Sequence, residues 1–567
     1  MAYVIADNII SPLGQTSDET YQAVKAGKSE IKAYPPGSHG IPEGFTASLM
    51  AGDFESIATT SASEALAASG IDVHTERVAF MLSTTKGPVE ELGHKAKESL
   101  YLGETAQRIA GKLGIQSKAF VVCNACISGL SALILAERLL DMGRYDYAVV
   151  CGCDSPQRFI ISGFQSLKAL SAQPCRPFDM ERSGLNLGEA AATMVLAKHP
   201  TANRDAGSRI WEISHGCVRN DAFHISAPSK TAEGLYKALT TTLTGTTKEE
   251  LAFVNAHGTA TLFNDQMESV AIQRAALSHV PANALKGYFG HTLGAAGILE
   301  TILSMKAIED HSVSGTRGYE ELGVSGKVDI SPDNRPTSKH AFIKMLSGFG
   351  GCNATLLATE TERQDKGEEN DIHAGEPRIG HTTQTVRITP DGVWLNSQPL
   401  HLEETNNTTS LLTTLYKKYA GDYPKYYKMD GLCRLGFVAS ELLLQAEGKE
   451  RFTPCDDRAV VLFNRSSSIS ADRKYLESIE DESNYYPSPS VFVYTLPNIV
   501  TGEIAIRNHY HGETSFYILP EKDEQQMKEV MESTFMDPTT KSMLTGWIDY
   551  EDEHHFEAEL RIVERQD

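Results

Sequence analysis

The sequence predicts an α/β protein, because strand-like runs alternate along the chain with helical ones. The stretch Ser128–Leu140 predicts a helix, since its apolar residues recur at helical spacing and fall on one side. Apolar runs of strand length lie before and after it, and three of them are typical of buried strands: 77–84, 119–122 and 147–151. Alternation of this kind is typical of α/β folds.

The composition agrees with several ordinary folded units. The 567 residues are 41% hydrophobic and 22% charged, close to the average for soluble globular proteins. At about 100–200 residues per domain, this length predicts three or four folded units. The nine cysteines are an odd number and widely scattered, which favours a reducing cytoplasmic setting over a secreted disulfide framework.

Two apolar features of the chain bear on targeting and membranes. The first 14 residues contain no basic region and no long apolar run, which predicts no signal peptide. The longest uncharged apolar stretch, 119–136, has about the length of a membrane span. Polar residues such as Asn124 and Ser128 interrupt it, so we expect a buried strand and helix there and no membrane association.

The net charge of −22 is unevenly distributed along the chain. There are 37 acidic and 31 basic residues through Glu360, and 37 acidic and 21 basic residues after it. Such a surface repels phosphate backbones, which argues against nucleic-acid binding. The shift coincides with a polar, highly charged stretch at 361–377, where we expect a linker between the units 1–360 and 378–567.

After this expected linker, the sequence predicts a hairpin and a long helix. Two short apolar runs flank the turn Thr389-Pro390-Asp391-Gly392, a sequence that favours a β-hairpin. Apolar residues from Leu432 to Ala446 then recur at alternating spacings of three and four, which predicts an amphipathic helix.

An internal repeat relates the two units. Residues 77–100 and 458–479 both run from an apolar strand through a Ser/Thr-rich turn into a helix that ends in Glu-Ser-aliphatic. A weaker echo relates 108–122 to 503–517. We therefore expect the second unit to copy only the first part of the first one, with generic βα similarity as the alternative.

Cys126 lies where a predicted strand runs directly into a predicted helix. A thiol at a helix N-terminus faces unpaired N–H groups and the positive end of the dipole, which predicts a pKa lowered to between about 3.5 and 7.5. The same N–H groups would form an oxyanion hole. A buried structural cysteine is the alternative. Cys123 completes a C-x-x-C pair, but a zinc or redox site would need further ligands or a thioredoxin-like context.

Three further segments carry residue types suited to catalysis. His257 precedes a Gly-Thr turn, which is typical of a loop at a strand end. His291 follows Lys286 by five residues and precedes a predicted helix that contains Glu300, with which the lysine would pair. Phe349 lies among four glycines, in a loop whose N–H groups would approach a ligand closely. Either histidine alone would more often be a structural residue.

Together and in this order, the four segments resemble the β-ketoacyl synthases of the type II, two-histidine kind. Five further stretches match that family: SPLG, AGKSEI, GFQSLKALS, RPFDMERSGLNLGEAA and NDAFHISAP. The resemblance runs from Met1 to about Glu360.

The resemblance implies a thiolase-like fold, in which halves at about 1–200 and 205–360 stack as an α-β-α-β-α sandwich. It implies an acyltransferase that needs no metal and no other cofactor. The implied reaction is a decarboxylative Claisen condensation with malonyl-acyl carrier protein, in fatty-acid, polyketide or aryl polyene synthesis. Acyl carrier protein, in its acyl and malonyl forms, is then the expected partner.

The resemblance also implies a role for each main site residue. Cys126 would hold the acyl group as a thioester. His257 and His291 would donate N–H groups to the enolate that forms when the malonyl group loses carbon dioxide. Lys286, paired with Glu300, would tune the field around the histidines.

Three other residues match family positions near the reacting groups. Thr259 and Thr261 would lie near the malonyl group. Phe349 would be the gating phenylalanine, and its N–H would join that of Cys126 in the oxyanion hole.

Other functions remain open. A non-catalytic chain-length-factor-like or carrier-binding partner is the main alternative, but the intact set of Cys126, both histidines and Lys286 argues against it. A thiolase-type acyltransferase would need a second reactive cysteine, and Cys352 lies late among glycines. The sequence around it, GFGGCNA, resembles the end of a ketoacyl synthase instead. Ketoacyl synthase III uses Cys-His-Asn, so His291 argues against that family.

The second unit resembles a truncated N-terminal half of a ketoacyl synthase without a nucleophile. In the register of the repeat, the position of Cys126 falls near Pro520–Glu521, and no cysteine follows Cys455. We therefore expect this unit to be catalytically dead and to pack on the first as an intrachain pseudo-dimer; an ordinary homodimer is the alternative. Its histidine pairs at 509–511 and 554–555 lack the spacing of a metal site.

Overall fold

The computed structural model describes residues 1–74, 77–93, 100–200, 209–362, 379–401, 410–481 and 484–566. Most of the linker expected at 361–377 therefore lies outside the described residues. So does part of the helix expected at the end of the first repeat copy.

The first stretch of chain contains the strands and helix predicted around Cys126, and these predictions are confirmed. Its strands are β1 (Ala2–Ile10), β2 (Lys32–Tyr34), β3 (Phe45–Ser48), β4 (Val78–Ser83), β5 (Phe120–Val122), β6 (Tyr147–Asp154), β7 (Leu187–Gly188) and β8 (Ala190–Ala197). Its helices are α1 (Ser17–Lys25), α2 (Phe54–Ser69), α3 (Leu102–Lys112), α4 (Ser128–Asp141) and α5 (Arg158–Ser166), with 3₁₀ turns at Ser38–Gly40, Val89–Glu91 and Ala125–Ile127.

The next stretch supplies the segments that carry the two histidines. Its strands are β9 (Arg209–Asn220), β10 (Leu251–Asn255), β11 (Pro281–Asn283), β12 (Ser312–Val313), β13 (Asp329–Ile330), β14 (Arg335–Pro336), β15 (Ala341–Gly348) and β16 (Cys352–Glu362). Its helices are α6 (Glu233–Thr242), α7 (Leu262–Arg274), α8 (Lys286–Phe289) and α9 (Ala296–Glu309), with 3₁₀ turns at Lys248–Glu250 and Leu293–Ala295.

The last stretch, from residue 379, contains the predicted hairpin and the predicted long helix. Its strands are β17 (Ile379–Thr389), β18 (Gly392–Leu395), β19 (Gln398–Pro399), β20 (Arg458–Asn464), β21 (Thr514–Ile518), β22 (Ser542–Asp552) and β23 (His555–Arg565). Its helices are α10 (Leu411–Tyr419), α11 (Gly431–Glu447), α12 (Ile469–Glu477), α13 (Pro489–Val493), α14 (Ile499–Asn508) and α15 (Glu524–Thr534), with a 3₁₀ turn at Pro424–Lys428. We call this stretch the appended unit.

One five-stranded arrangement occurs three times in the described part of the chain. The strand orders are β1-β8-β6-β4-β5, then β9-β16-β15-β10-β11, then β17-β23-β22-β20-β21. In each sheet the first two pairings are antiparallel and the last two are parallel. The first two sheets are the halves of a thiolase-like fold, and the third is a further half.

The third sheet corrects the expectation that the appended unit copies only the first part of the first unit. Strands β22 and β23 occupy the places of β6 and β8, so the five-stranded sheet is whole. One connection between the strands of the appended unit is reduced to a turn. A tight turn at 553–554 joins β22 to β23, whereas residues 155–189, with α5, separate β6 from β8. The later strands have diverged too far in sequence for the repeat to show them.

Helices α4 and α9 form the central layer between the first two sheets. Each contacts strands of both sheets, while α2 covers the outer face of the first sheet and α6 that of the second. The two central helices begin very close together: a Cβ on Gly297 would lie 2.4 Å from the Leu130 amide nitrogen. Residue 297 therefore has no room for a side chain. The layers of sheets and helices, taken together, confirm the thiolase-like sandwich predicted for the chain.

The appended unit continues the first sheet edge to edge. Strand β21 pairs antiparallel with β5, so that Tyr517 lies opposite Val122 and Ile518 opposite Val121. The Phe516 amide also donates to the Asn124 side chain at 2.7 Å. Because β21 occupies the free edge of β5, that edge is not available to another chain.

Buried ion pairs reinforce this contact. Three of them join a basic residue of the first 362 to an acidic residue of the appended unit: Arg138–Glu513 at 2.9 Å, Arg219–Asp537 at 2.6 Å and Lys86–Asp472 at 2.5 Å. Removing one partner of such a pair lowers the stability of the fold, because the other charge is then buried without a counter-charge.

The apolar stretch 119–136 forms β5 and most of α4, both inside the fold. In the described residues we find no helix with the length and apolarity needed to pass through a lipid bilayer.

Candidate active site

Cys126 lies in the 3₁₀ turn between the end of β5 and the first residue of α4. The preceding residue, Ala125, has a φ of +48°, a left-handed conformation that residues with a Cβ seldom adopt. This turn directs the chain sharply into α4, and Cys126 lines a cavity instead of packing in the core. Its side chain is partly exposed, whereas that of Cys123, the other cysteine of the C-x-x-C sequence, is buried; both thiols are free.

The environment of Cys126 corrects one electrostatic expectation. Burial raises the pKa of the Cys126 thiol to about 12, and the nearby Lys286 charge opposes this effect only in part. The helix N-terminus was expected to lower the pKa, so the predicted direction is wrong. The reason is desolvation, which penalises the thiolate in a cavity removed from bulk water. The resting nucleophile is therefore a thiol that must lose its proton during the reaction.

His257 and His291 are brought together at this thiol from separate loops. His257 follows β10, and His291 precedes the turn into α9. The centroids of their rings are 4.9 Å apart and the ring planes cross at 81°. One nitrogen of each ring and the Cys126 sulfur lie within 4.8 Å of one another. The fold thus brings Cys126 together with two histidines that lie more than 100 positions further along the chain.

Both imidazoles are neutral. Burial and the positive charges of Lys286 and Lys344 hold the pKa of His257 and of His291 well below the ordinary value. His291 Nδ1 accepts a hydrogen bond from the Leu293 amide at 3.2 Å, which leaves the proton on Nε2. His291 Nε2 and His257 Nδ1 are buried and have no hydrogen-bond partner among the described residues.

A buried charge cluster lies behind His257. Lys286 Nζ donates to Glu300 Oε1 at 2.6 Å and to the His257 carbonyl at 2.7 Å. Lys344 Nζ donates to the other oxygen of Glu300, Oε2, at 2.5 Å and to the Ala256 carbonyl at 3.1 Å. Lys286 and Glu300 were predicted from the sequence, but Lys344 was not, because its signal is a single lysine inside the apolar run of β15.

A second carboxylate holds the opposite side of the His257 turn. Glu268 on α7 accepts from the His257 amide at 2.6 Å and from the Gly258 amide at 2.8 Å. The backbone of His257 is therefore fixed from both directions, through its N–H and its carbonyl. Sequence analysis missed Glu268, although it lies on the helix that directly follows the histidine motif.

Asp154 ties the loop that carries His291 to the residues that follow β4. Its carboxylate accepts from Thr84 Oγ1 at 2.7 Å, from the Thr85 amide at 2.9 Å and from the Gly294 amide at 2.7 Å. Gly294 lies three residues after His291, so Asp154 fixes this loop against the end of β4. Its only sequence signal was an acidic residue at the end of a buried strand.

The cavity has a volume of about 410 Å³ and collects most of the predicted site residues. Cys126, both histidines, Thr259, Thr261 and Phe349 line it, whereas Lys286 and Glu300 lie behind its wall. The hydroxyl oxygens of Thr259 and Thr261 are 2.9 Å apart. The Phe349 ring stacks on Phe164, with ring centroids 6.3 Å apart.

The mouth of this cavity combines apolar and basic character. Phe263 and Leu262, at the start of α7, line it and are 73% and 56% exposed. Lys168 also lines it and is exposed. Such an opening suits a partner with an apolar arm and an acidic surface.

The sulfur and imidazole nitrogens would also suit a zinc ion as ligands. The buried ammonium group of Lys286, bonded to the His257 carbonyl, opposes a second cation at this place. The geometry thus favours acid–base and nucleophilic chemistry.

The appended unit has no nucleophile at the matching position. Five residues connect β21 to α15, as five connect β5 to α4, and counting from the strand end puts Lys522 in the place of Cys126. This is one residue beyond the expected Pro520–Glu521. The Lys522 ammonium group donates to Glu559 at 2.7 Å on the surface.

Family models match two parts of the chain. Residues 46–202 match the N-terminal domain of β-ketoacyl synthases, and residues 211–320 match the C-terminal domain.

Curated relatives agree with these matches. The 3-oxoacyl-[acyl-carrier-protein] synthase 2 of Rhizobium meliloti (strain 1021) is 34% identical over 275 residues, which cover 45% of this chain and 65% of the relative. The tetracenomycin polyketide synthase ketoacyl synthase alpha subunit of Streptomyces glaucescens is 32% identical over 345 residues, which cover 54% and 81%. The chain thus spans slightly less than two thirds of the first relative.

Solved structures extend the likeness to the appended unit. The PfaC keto synthase-chain length factor has a TM-score of 0.77 and 14% identity, covering 100% of this chain and 78% of that one. The ketosynthase ApeO in complex with its chain length factor ApeC, from Xenorhabdus doucetiae, has a TM-score of 0.54 and 25% identity, covering 64% of this chain and 98% of that one. The first likeness shows a shared fold alone.

Proposed function

This chain belongs to the β-ketoacyl synthase family, and we propose that it condenses an acyl group held on Cys126 with malonyl-acyl carrier protein. The reaction releases carbon dioxide and gives a 3-oxoacyl carrier. The observation that carries the proposal is the cluster itself: a thiol and two neutral imidazoles within 4.8 Å in one cavity. A carrier-binding protein without catalysis would have no need of this arrangement.

In the first step, the Cys126 sulfur attacks the carbonyl of an acyl-carrier thioester. The thiol proton passes to an adjacent neutral imidazole and then to the departing carrier thiolate. This route is needed because the resting thiol is protonated. The tetrahedral oxyanion would be stabilised by the N–H groups of Cys126 and Phe349.

In the second step, malonyl-carrier enters the cavity and loses carbon dioxide. The electron pair of the broken C–C bond forms an enolate, whose oxygen accepts N–H bonds from His257 and His291. Neutral imidazoles suit this task because each carries one ring N–H and both residues line the cavity. Thr259 and Thr261 line the same wall and would contact the malonyl thioester.

In the third step, the enolate carbon attacks the acyl carbonyl on Cys126. A C–C bond forms, the C–S bond breaks and the Cys126 thiolate leaves. The proton that restores the thiol comes from water by way of the neighbouring imidazole, which is neutral before and after the transfer. Lys286 takes no part in these transfers; paired with Glu300, it keeps the histidines neutral and holds the His257 carbonyl.

The proposed partner is an acyl carrier protein in its acyl and malonyl forms. The exposed Lys168 and the apolar Phe263 at the cavity mouth would meet the acidic surface and the thioester arm of such a carrier. For the appended unit we propose the role of an inactive partner in cis, comparable to a chain length factor. The edge pairing of β5 with β21 and the absence of a nucleophile near Lys522 support it.

A Cys126→Gln variant tests the reaction. It should abolish condensation, because no acyl group can be held, yet retain malonyl decarboxylation at the histidines. His291→Ala should lose decarboxylation by about 100-fold or more. Cys455→Ser, which alters a thiol in the appended unit, is the matched control and should keep both activities. Both activities are measured as 3-oxoacyl product and released carbon dioxide.

Equal loss of both activities in Cys126→Gln would contradict the division of labour between sulfur and imidazoles. A wild-type protein that neither decarboxylates malonyl-carrier nor accepts an acyl group would favour the alternative, a non-catalytic partner.

A further inference from the structure

The gate loop, residues 349–351, is held by hydrogen bonds at nearly every backbone group. The Gly350 amide donates to the Ile225 carbonyl at 2.7 Å, and the Gly350 carbonyl accepts from Asn220 Nδ2 at 2.8 Å. Gly350 and Gly351 have φ values of +91° and +73°, which favour glycine. The loop is therefore a fixed turn between β15 and β16.

The Phe349 carbonyl of this turn accepts a hydrogen bond from a side chain of the appended unit. Asn498 Nδ2 donates to the Phe349 carbonyl at 2.8 Å and lies 3.8 Å from the Cys352 sulfur. Asn498 is 2% exposed and occupies the N-cap position of α14, but its side chain does not cap that helix. The side-chain oxygen of an N-cap asparagine usually accepts a hydrogen bond from an amide of its own helix. Asn498 makes no such bond, and its side-chain NH₂ group donates to Phe349 instead.

The gate loop packs closely against the appended unit. A Cβ on Gly502, within α14, would lie 2.6 Å from the Gly350 carbonyl oxygen, so this helix rests directly on the loop. The second donor to the Phe349 carbonyl is the Cys352 thiol at 3.3 Å, a weaker one than an amide. A second contact joins the gate loop to the appended unit, because Asn220, which binds the Gly350 carbonyl, also donates to Thr514 Oγ1 at 3.0 Å.

We infer that Asn498 of the appended unit is a positioning residue for the acyl-transfer site. By holding the Phe349 carbonyl, it fixes the peptide plane that follows this residue. It thereby limits the backbone rotation that would move the ring lining the cavity and the N–H proposed for the oxyanion hole. Such donors stabilise a transition state only when they are aimed in advance. This inference rests on the proposed function, and it gives the appended unit a direct part in the active site.

The inference separates two chemical steps. Acylation of Cys126 and the later condensation develop an oxyanion at the acyl carbonyl, next to Phe349. Malonyl decarboxylation instead develops its charge on the enolate oxygen, at His257 and His291. Loss of the Asn498 amide should therefore slow the first kind of step and spare the second.

The test compares Asn498→Ala with Thr495→Val in the full-length protein. Thr495 is buried at the same interface, and its hydroxyl donates only to Phe492 within the appended unit. We expect Asn498→Ala to slow acylation of Cys126 by an acyl-carrier about tenfold, and Thr495→Val to leave it unchanged. In a Cys126→Gln background, decarboxylation should stay within about twofold for both variants.

Hydrogen exchange gives a readout that does not need activity. The amides of residues 349–351 should exchange faster in Asn498→Ala than in the wild type or in Thr495→Val. Unchanged exchange in this loop would overturn the inference, whether or not the protein proves to be a synthase. Equal slowing of acylation and decarboxylation would also overturn it, since that pattern indicates general disruption. If the wild type shows no acylation while exchange responds as expected, the proposed function fails and the positioning contact stands.

Discussion

Glu300 balances two buried lysines next to the proposed catalytic histidines. Lys286 and Lys344 each donate to one of its oxygens, and the three groups are fully buried. Two amines share one carboxylate, and burial lowers the pKa of Lys344 to about 8, so the cluster has excess positive charge below that pH. This charge faces the imidazoles across the His257 peptide and disfavours their protonation.

Lys344→Met should therefore change the pH dependence of acylation. In the wild type the depressed imidazole pKa values keep both rings neutral as pH falls through 6.5, so acylation should not decline there. Without Lys344, the pKa values of both imidazoles rise, because one of the positive charges that lower them is gone, and the acid limb moves to higher pH. Lys344→Arg, which retains the charge, is the control. The measurement is the acylation rate from pH 5 to 8, and identical acid limbs in all three proteins would refute the effect.

The thiol pKa makes a separate residue-scale prediction. Because burial raises the pKa of Cys126 to about 12, its rate of alkylation by iodoacetamide should rise about tenfold per pH unit from pH 6 to 9, without a plateau. The measurement is the labelling rate of the peptide that contains Cys126. A plateau with a midpoint near pH 7 would mean that the helix N-terminus outweighs burial.

At this scale, motif order located Cys126, both histidines, Lys286 and Glu300, because these residues lie in short segments of distinctive composition. It could not locate Lys344, Glu268 or Asp154. Each of these is a single charged residue within or beside an apolar element, and its importance comes from which backbone groups it meets in the fold. Such meetings between distant segments leave no local pattern.

At the scale of elements, α4 is joined to the appended unit by a buried ion pair. Arg138 and Glu513 have side chains that are 6% and 2% exposed and lie 2.9 Å apart. Arg138→Leu should lower the stability by about 3–5 kcal/mol, because it leaves Glu513 buried and unpaired. The double variant Arg138→Leu/Glu513→Leu should recover most of this loss.

Denaturant unfolding of the full-length variants, with tryptophan fluorescence, measures these differences. Additive losses in the double variant would contradict an interaction between the two side chains.

Local patterns were sufficient for several individual elements. The hairpin of β17 and β18 follows from its Pro-Asp-Gly turn, and α11 from the spacing of its apolar residues. The full extent of the appended sheet was not predictable in the same way. Strands β22 and β23 hold the places of β6 and β8 by pairing with each other and with β20, and apolar strands of different sequence satisfy the same pairing.

At the scale of the whole molecule, β21 covers the edge of β5 within one chain. Val122→Cys and Tyr517→Cys, introduced together at paired positions, should therefore form a disulfide within each molecule. Non-reducing gels and peptide mapping should show a cross-linked monomer. A cross-linked dimer through these two positions would show that β5 pairs with a second copy instead.

The same edge explains what a sequence can say about assembly. The repeat predicted a second half-fold. Because an exposed strand edge promotes aggregation, we expected this half-fold to pack on the first unit and cover its edge. Which surfaces meet was settled by three-dimensional complementarity, including the buried ion pairs of Arg138, Arg219 and Lys86.

Cys126 is expected to carry the acyl group in a cavity that it shares with two neutral imidazoles. The most direct test is mass spectrometry of peptides after incubation of the protein with a mixture of acyl-carrier proteins. We expect an acyl mass on the peptide that contains Cys126, and none on it in Cys126→Ala. An acyl group on any of the other eight cysteines, or condensation without acylation of Cys126, would contradict it.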